Sequence, residues 1–310
     1  MSVSCGALVF RVRHTPNRHP LMIERCPMAI QFGLNTFTFV SPFTTKDLVL
    51  LDKVKQMGFD LIEISIEGMS DLDYEEAARA LKRTGLAVST CAAMGPDRDP
   101  THEDPAKQQG GIEYLKHMVD ATAKMGGTIC GGPIYASVGR TWQATPEQRK
   151  KDLERCVRNL KIVADYARSK GVIFAIEPLN RFETSFINLA EQAVELVEMI
   201  DSPAMRIMLD TFHMNIEEKH LGKAIEKAAP YLVHIHANEN DRGTPGSGHV
   251  PWTDVAAALK KINYNGAMVI ESFSSENKTI ARAAAIWRPP APSQDELASE
   301  GLKFLKQLMA

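Results

Sequence analysis

The run VIFAIE at residues 172–177 decides the fold, because three similar runs follow it at nearly equal spacing. Each is a short apolar segment that ends in a polar residue, and the others are RIMLD at 206–210, LVHIH at 232–236 and AMVIE at 267–271. Their end residues, Glu177, Asp210, His236 and Glu271, are 33, 26 and 35 positions apart, about one strand and one helix each. Continuous apolar runs joined by helical segments are typical of parallel strands that are buried on both faces.

The first half of the chain shows the same alternation of strands and helices. We predict further strands at about 30–35, 61–65, 86–91 and 128–131, with helices at about 45–57, 74–84, 107–125 and 145–170. Eight such units predict an α/β protein of the (β/α)8 TIM-barrel class. A doubly wound open sheet is the competing fold, but it requires a glycine-rich turn after the first strand, where the sequence is LNTF at 34–37.

The first 27 residues differ in charge from the rest of the chain. They contain four arginines and one acidic residue, a net charge of +3, so the remainder carries −5 of the total of −2. We predict that residues 1–27 are a dispensable N-terminal extension and that residues 28–310 form one catalytic barrel domain. No apolar run reaches the roughly 20 residues of a membrane span.

Composition and charge exclude several classes of protein. The 310 residues are 44% hydrophobic and 24% charged, which is typical of a globular chain with a large core. Lys and Arg number 36 against 38 Asp and Glu, with no basic block, so neither a nucleic acid nor a membrane is an expected partner. Five cysteines without a C-x-x-C pair indicate a reducing compartment, and we expect a cytoplasmic protein.

The four strand-end residues predict a metal site. The carboxyl ends of barrel strands carry the chemistry of this fold, and Glu177, Asp210, His236 and Glu271 end consecutive strands. Three carboxylates and an imidazole suit Mn²⁺, Mg²⁺ or Co²⁺. A single strand-end acid can be a helix cap or a salt-bridge partner, whereas three acids brought together repel one another unless a cation neutralises them.

Several motifs in these segments resemble one family of enzymes. They are EPLNRFE at 177–183, LDTFHMNIEE at 209–218 and HIHANENDR at 234–242, extended by GFDLIEIS at 58–65, PGSGHVPW at 245–252, ESF at 271–273 and WR at 287–288. They are similar to the motifs of ketose 3-epimerases, which include D-tagatose 3-epimerase and D-allulose (D-psicose) 3-epimerase and have xylose-isomerase-like barrels. The resemblance covers roughly residues 30 to 310 and is strongest from 172 to 288.

The resemblance implies metal-dependent epimerisation at C3 of free ketoses of the D-tagatose, D-fructose, D-allulose and L-ribulose class, through a cis-enediolate. It implies that Glu177, Asp210, His236 and Glu271 hold the metal, most commonly Mn²⁺, and that no nucleotide or redox cofactor takes part. Glu177 and Glu271 would exchange the C3 proton from opposite faces of the sugar. Glu183, His213 and Arg242 would hold the oxygens near C1 to C3, and the assembly would be a homodimer or homotetramer.

Other functions remain open at this point. An aldose–ketose isomerase, or a keto-sugar epimerase acting at another carbon, would use the same scaffold. A glycosidase would need two carboxylates but would leave Asp210 and His236 without a role. A metal-dependent DNA-repair nuclease would need more histidine ligands and a basic face, and a non-catalytic sugar-binding protein would have no use for two glutamates on one metal.

Five further features carry structural expectations. We expect Glu63 to form hydrogen bonds inside the barrel, and His234 to lie on the same side of its strand as His236, where it packs against or supports the site. Residues 215–218 are expected to begin the helix after the sixth strand, and the glycines at 246 and 248 to form a turn that presents Arg242. Arg140 is a candidate for binding an acidic or larger substrate.

Overall fold

The computed structural model describes residues 30–310, which form a closed barrel of eight parallel strands. The strands are β1 Gln31–Asn35, β2 Leu61–Ser65, β3 Ala87–Cys91, β4 Ile129–Gly132, β5 Ile173–Ile176, β6 Met205–Asp210, β7 Leu232–His236 and β8 Ala267–Ile270. They follow one another in chain order around the barrel, and β1 closes it by pairing with β8. The predicted (β/α)8 class is confirmed. The predicted extension, residues 1–27, lies outside the described residues and stays a prediction.

Helices surround the barrel. They are α1 Leu50–Gln56, α2 Tyr74–Thr84, α3 Pro105–Lys124, α4 Pro146–Lys170, α5 Ala190–Ile200, α6 Thr211–Glu217, α7 Leu221–Ala228, α8 Trp252–Lys261, α9 Lys278–Ala283 and α10 Gln294–Met309, with 3-10 turns at Thr36–Thr38 and Thr45–Val49. Local sequence sets their ends. Thr145 caps α4 by accepting a hydrogen bond from the Gln148 amide, and Gly171 ends it in the left-handed conformation. None of these helices is long and apolar enough to span a membrane.

The helix after β6 begins earlier than the sequence predicts. We expected residues 215–218 to start it, and this expectation is wrong, because α6 begins at Thr211 and those residues lie at its end. The cause is Asp210, whose carboxylate accepts the Phe212 amide proton at 2.8 Å and caps the helix directly at the strand end. The acid at the far end of α6, Glu217, is paired with Arg181 at 2.9 Å instead.

Apolar side chains fill the barrel below the strand ends. One cluster consists of Ala175, Met208 and Val233, which precede the polar strand-end residues along β5, β6 and β7. Gly131 leaves the room for Met208, because a side chain there would overlap its sulfur. The interior is therefore a packed core that closes one end of the barrel, and the polar groups gather at the other end.

Candidate active site

The four predicted metal-ligating residues meet at the carboxyl end of the barrel. Asp210 and His236 are the last residues of β6 and β7, and Glu177 and Glu271 directly follow β5 and β8. One donor atom from each lies within 4.8 Å of the others. His236 Nδ1 is 3.3 Å from Glu271 Oε2 and 3.7 Å from Glu177 Oε1. All four side chains are buried.

Two atoms at the centre of this cluster have no hydrogen-bond partner. They are Glu177 Oε1 and His236 Nδ1, and both are buried. Leaving such groups unpaired inside a protein costs about 1–3 kcal/mol each, so their presence calls for a reason. A divalent cation would satisfy a carboxylate oxygen and an imidazole nitrogen together. The donor set of three carboxylates and one imidazole fits Mn²⁺, Co²⁺ or Mg²⁺, and these residues could hold such an ion.

Arg242 lies against the same carboxylates. Its Nη1 donates hydrogen bonds to Asp210 Oδ2 at 2.6 Å and to Glu271 Oε2 at 3.0 Å. Its guanidinium carbon lies 4.1 Å from the ring centre of Phe212 and 5.1 Å from that of Phe273. The two aromatic rings and the two carboxylates together fix the plane of the guanidinium.

His213 lies between N–H donors at both of its ring nitrogens. Its Nδ1 accepts a hydrogen bond from the backbone amide of Asn180 at 3.1 Å, and its Nε2 lies 3.2 Å from Arg242 Nη2, a nitrogen that can only donate. Burial, together with the positive charges of Arg242 and His236, holds the pKa of His213 well below its usual value. The Nε2 atom lies 3.7 Å from Asp210 Oδ2, at the edge of the carboxylate cluster.

Glu183 is the outermost of the predicted substrate-binding residues. Its side chain is 32% exposed and lies 4.0 Å from His213, between Oε1 and Nδ1. The Asn180 side-chain amide donates to Glu183 Oε1 at 2.8 Å. Thus the structure brings Glu183 and His213 together beside Arg242, adjoining the predicted ligand set.

The two glutamates proposed from the family resemblance have opposite electrostatic surroundings. Burial, reinforced by the charges of Glu271 and Asp210, raises the pKa of Glu177 well above its usual value. Burial also disfavours the charged form of Glu271, but His236 and Arg242 outweigh it and lower the pKa. The two carboxyl groups therefore lie in different electrostatic environments in the absence of a cation.

A polar layer lies directly beneath the cluster and is centred on Glu63. Its Oε1 is 2.5 Å from His236 Nε2 and accepts the Asn35 side-chain amide at 2.9 Å. Its Oε2 accepts a hydrogen bond from the Ser89 hydroxyl at 2.9 Å and lies 2.8 Å from His234 Nε2. The expectation of a hydrogen-bonding group inside the barrel is confirmed. Asn35 and Ser89 were not predicted, although their place in register with Glu63 on β1 and β3 follows from strand pairing.

Asn238 is a second contributor that the sequence did not indicate. Its side-chain amide donates to Asp210 Oδ2 at 3.0 Å, and its carbonyl oxygen accepts the Glu271 amide proton at 2.7 Å. It therefore ties β6 to β8 across the end of β7. The only signal for it is its position two residues after His236, because loop residues have no periodicity to reveal their direction.

The loop that carries Arg242 is organised around Glu239. Its carboxylate accepts hydrogen bonds from the amides of Gly246 at 2.8 Å and Val250 at 2.9 Å, and from the Trp252 indole at 2.9 Å. Gly246 has a φ of 90°, where an added side chain would be strained. The predicted turn is confirmed, and it presents Arg242 to the site.

Arg140 does not bind substrate in the way its sequence position suggested. Its side chain is 5% exposed, forms an ion pair with Asp152 and donates to Thr101 Oγ1 at 2.7 Å. Its backbone bridges to Thr184 in the next strand–helix connection. The expectation of an acidic-substrate contact is wrong, because the guanidinium is already neutralised inside the protein.

Comparison with known proteins places this geometry in context. Residues 51–308 match the family described as xylose isomerase-like TIM barrel. A probable ketose 3-epimerase of Synechocystis sp. is 34% identical over 278 residues, which are 90% of this chain and 96% of that protein. A solved L-ribulose 3-epimerase superposes with a TM-score of 0.86 at 30% identity, covering 90% of this chain and 94% of the other. The D-allulose 3-epimerase of Methylomonas sp., solved in complex with D-allulose, gives 0.84 at 29% identity, covering 90% and 99%.

Proposed function

Because this chain belongs to the xylose isomerase-like TIM-barrel family, and within it to the ketose 3-epimerases, we propose that it epimerises free ketoses at C3 with the help of a divalent metal ion. The proposed substrates are of the D-tagatose, D-fructose, D-allulose and L-ribulose class. The observation that carries the proposal is the meeting of Glu177 and Glu271, from β5 and β8, around the cluster formed with Asp210 and His236.

Glu177 and Glu271 are the proposed acid and base. One removes the proton from C3, and the other returns a proton to the opposite face, so that the two exchange roles when the reaction runs backwards. A positioned acid or base contributes typically about 10²–10⁴-fold to the rate. Removing and returning a proton leaves the oxidation state of the sugar unchanged, so the chemistry requires no nucleotide or redox cofactor.

Arg242 and His213 are the proposed donors to the substrate oxygen that becomes negative when the proton leaves. Arg242 holds its N–H groups beside the carboxylates before any substrate arrives, and His213 lies next to it. The burial of both side chains keeps water from weakening the interaction. Removing one such donor typically costs about 10²–10³-fold in kcat. Glu183, at the more exposed edge, is the proposed acceptor for a sugar hydroxyl near C1 to C3.

Glu177, Asp210, His236 and Glu271 are the proposed metal ligands, and Mn²⁺ is the proposed ion, with Co²⁺ or Mg²⁺ as substitutes. When bound, the ion supplies Lewis-acid polarisation of the substrate carbonyl and compensates the charge of the carboxylates. The unpartnered Glu177 Oε1 and His236 Nδ1 support this assignment. By family resemblance we further propose a homodimer or homotetramer that works in the cytoplasm.

The proposal is tested by following solvent deuterium into the sugar. The protein is incubated with each of the four ketoses in D₂O, with Mn²⁺ or with EDTA, and the products are assigned by NMR. We expect deuterium at C3 together with the C3 epimer, and only with metal. Deuterium at C1 with an aldose product would identify an aldose–ketose isomerase, and deuterium at another carbon would identify a different epimerase. Equal turnover in EDTA and in Mn²⁺ would contradict the proposed metal dependence.

A further inference from the structure

Glu63 is a fully buried carboxylate that the proposed reaction does not use. It lies in the middle of β2, inside the barrel, with none of its side chain exposed. A buried carboxylate is stable only when its oxygens are paired, so its partners reveal what its position achieves. Two of those partners are histidines from β7, His234 and His236.

The contact with His236 decides which nitrogen of that ring faces the site. Its Nε2 is 2.5 Å from Glu63 Oε1, and a carboxylate oxygen can only accept a hydrogen bond, so Nε2 carries the proton of that bond. The other nitrogen, Nδ1, lies among Glu177, Asp210 and Glu271 without a hydrogen-bond partner. In the neutral ring the proton on Nε2 leaves the lone pair of Nδ1 directed at the carboxylate cluster.

Glu63 is itself held in place from both sides. The Asn35 amide donates to Oε1 at 2.9 Å, and the Ser89 hydroxyl donates to Oε2 at 2.9 Å. These two residues occupy neighbouring strands at the same level as Glu63. His234 Nε2 lies 2.8 Å from Oε2, and its ring packs edge-on against that of His236 with centres 5.5 Å apart. The carboxylate therefore cannot rotate without losing several contacts.

We propose that Glu63 is a positioning residue for metal binding, which fixes the tautomer and the direction of His236 so that Nδ1 is presented to the ion. The Ser89 hydroxyl holds the second oxygen of Glu63 through a hydrogen bond, and His234 lies beside that oxygen. This inference rests on the proposed function, since it concerns the metal site described there. Ligand-orienting partners of this kind typically contribute about 10- to 100-fold to metal affinity.

The test measures Mn²⁺ binding rather than turnover. Free Mn²⁺ is followed by electron paramagnetic resonance while metal-stripped protein is titrated, for the wild type, Glu63→Gln and His234→Gln. We expect Glu63→Gln to weaken the Mn²⁺ Kd about 10- to 100-fold, and His234→Gln to weaken it less, because the contact of His236 with Glu63 remains. A Kd for Glu63→Gln within twofold of the wild type would overturn the inference.

Thr90→Val is the matched control. Thr90 lies on β3 next to Ser89, and its buried hydroxyl bonds to that of Thr122 at 2.6 Å, away from the metal cluster. Losing this hydrogen bond should lower the melting temperature and leave the Mn²⁺ Kd unchanged. If Thr90→Val lost as much Mn²⁺ affinity as Glu63→Gln, the loss in both variants would be explained by general destabilisation of the barrel, and the inference would be overturned.

A measurement on the wild type keeps the inference testable if Glu63→Gln does not fold. The ring protons are located by NMR in ¹⁵N-histidine-labelled protein loaded with diamagnetic Mg²⁺, and the signals of His236 are those that disappear in His236→Asn. We expect the ring proton of His236 to be on Nε2. A proton on Nδ1 would overturn the inference. Wild-type protein that binds no Mn²⁺ would overturn both this inference and the proposed metal dependence. If the wild type binds Mn²⁺ and the Kd of Glu63→Gln is the same, only the inference is overturned.

Discussion

Replacing Arg242 by methionine should lower the stability of the metal-free protein, because the guanidinium of Arg242 contacts two buried carboxylates. Nη1 lies 2.6 Å from Asp210 and 3.0 Å from Glu271, and all three side chains are less than 10% exposed. Removing one partner from a buried ion pair typically costs about 3–5 kcal/mol, since the remaining charge is left unpaired. At about 2 °C per kcal/mol for a domain of this size, the melting temperature should fall by roughly 6–10 °C.

Arg242→Lys separates the charge of this side chain from its shape. An ammonium group keeps a positive charge near Asp210 and Glu271, so we expect less than half of the stability loss of Arg242→Met. It cannot present two nitrogens in a plane or stack between Phe212 and Phe273, and kcat should fall about 10²–10³-fold. The backbone φ of 63° at this position strains lysine and methionine alike, so this strain cancels between the two variants.

The assay compares melting temperatures in EDTA and in Mn²⁺ with kcat for the preferred ketose. Mn²⁺ should raise the melting temperature of Arg242→Met more than that of the wild type, because the ion compensates the same carboxylates. Two results would refute the reasoning. One is a metal-free Arg242→Met protein that melts within 2 °C of the wild type, and the other is Arg242→Lys with wild-type kcat.

Four further variants test other parts of the molecule. Glu177→Gln and Glu271→Gln should each lower the rate of C3 deuterium exchange at least about 10²-fold, and a loss of only a few-fold would contradict their assignment as acid and base. Asp152→Asn should lower the free energy of unfolding, measured by urea titration, by about 3–5 kcal/mol, because it leaves Arg140 buried without its charge partner. KM should stay unchanged. A raised KM at full stability would indicate instead that Arg140 contacts the substrate. Burial disfavours the charge on Glu239, but hydrogen bonds from the Trp252 indole and from backbone amides outweigh this and lower its pKa. The stability that Glu239→Gln removes should therefore be fully present above about pH 5, and it should vanish as the pH falls through the lowered pKa. Urea titrations of both proteins between pH 3 and 7 would contradict this if the difference did not change.

The barrel and the cluster of four strand-end residues were predictable because both follow from local patterns with a fixed geometric consequence. Parallel strands of a barrel all end at one rim, so residues that follow successive strands must approach one another. Glu177 and Glu271 are 94 positions apart in the sequence, yet no long-range information was needed to bring them together. Strand spacing and the identity of each strand-end residue were sufficient.

The remaining contacts were not predictable because they depend on which atoms a side chain reaches after the chain has folded. Asp210 both faces the cluster and caps α6, and the cap moved the start of that helix to Thr211. Arg140 looked available from its loop position, but Asp152 on the next helix neutralises it. Neither pairing produces a periodic signal, and each involves a long side chain with several possible directions.

The proposed acid and base are also proposed metal ligands, and this overlap limits what their substitution can prove. A glutamine at Glu177 or Glu271 removes a proton-transferring group and a ligand charge at once, so a lost rate has two explanations. Arg242 and His213 contact the same carboxylates without belonging to the ligand set. Their variants can retain the ion while losing the guanidinium or imidazole contacts. A Mn²⁺-saturated Arg242→Lys enzyme that binds metal normally and exchanges the C3 proton slowly would therefore separate stabilisation of the developing negative charge from metal binding, which no glutamate variant can do.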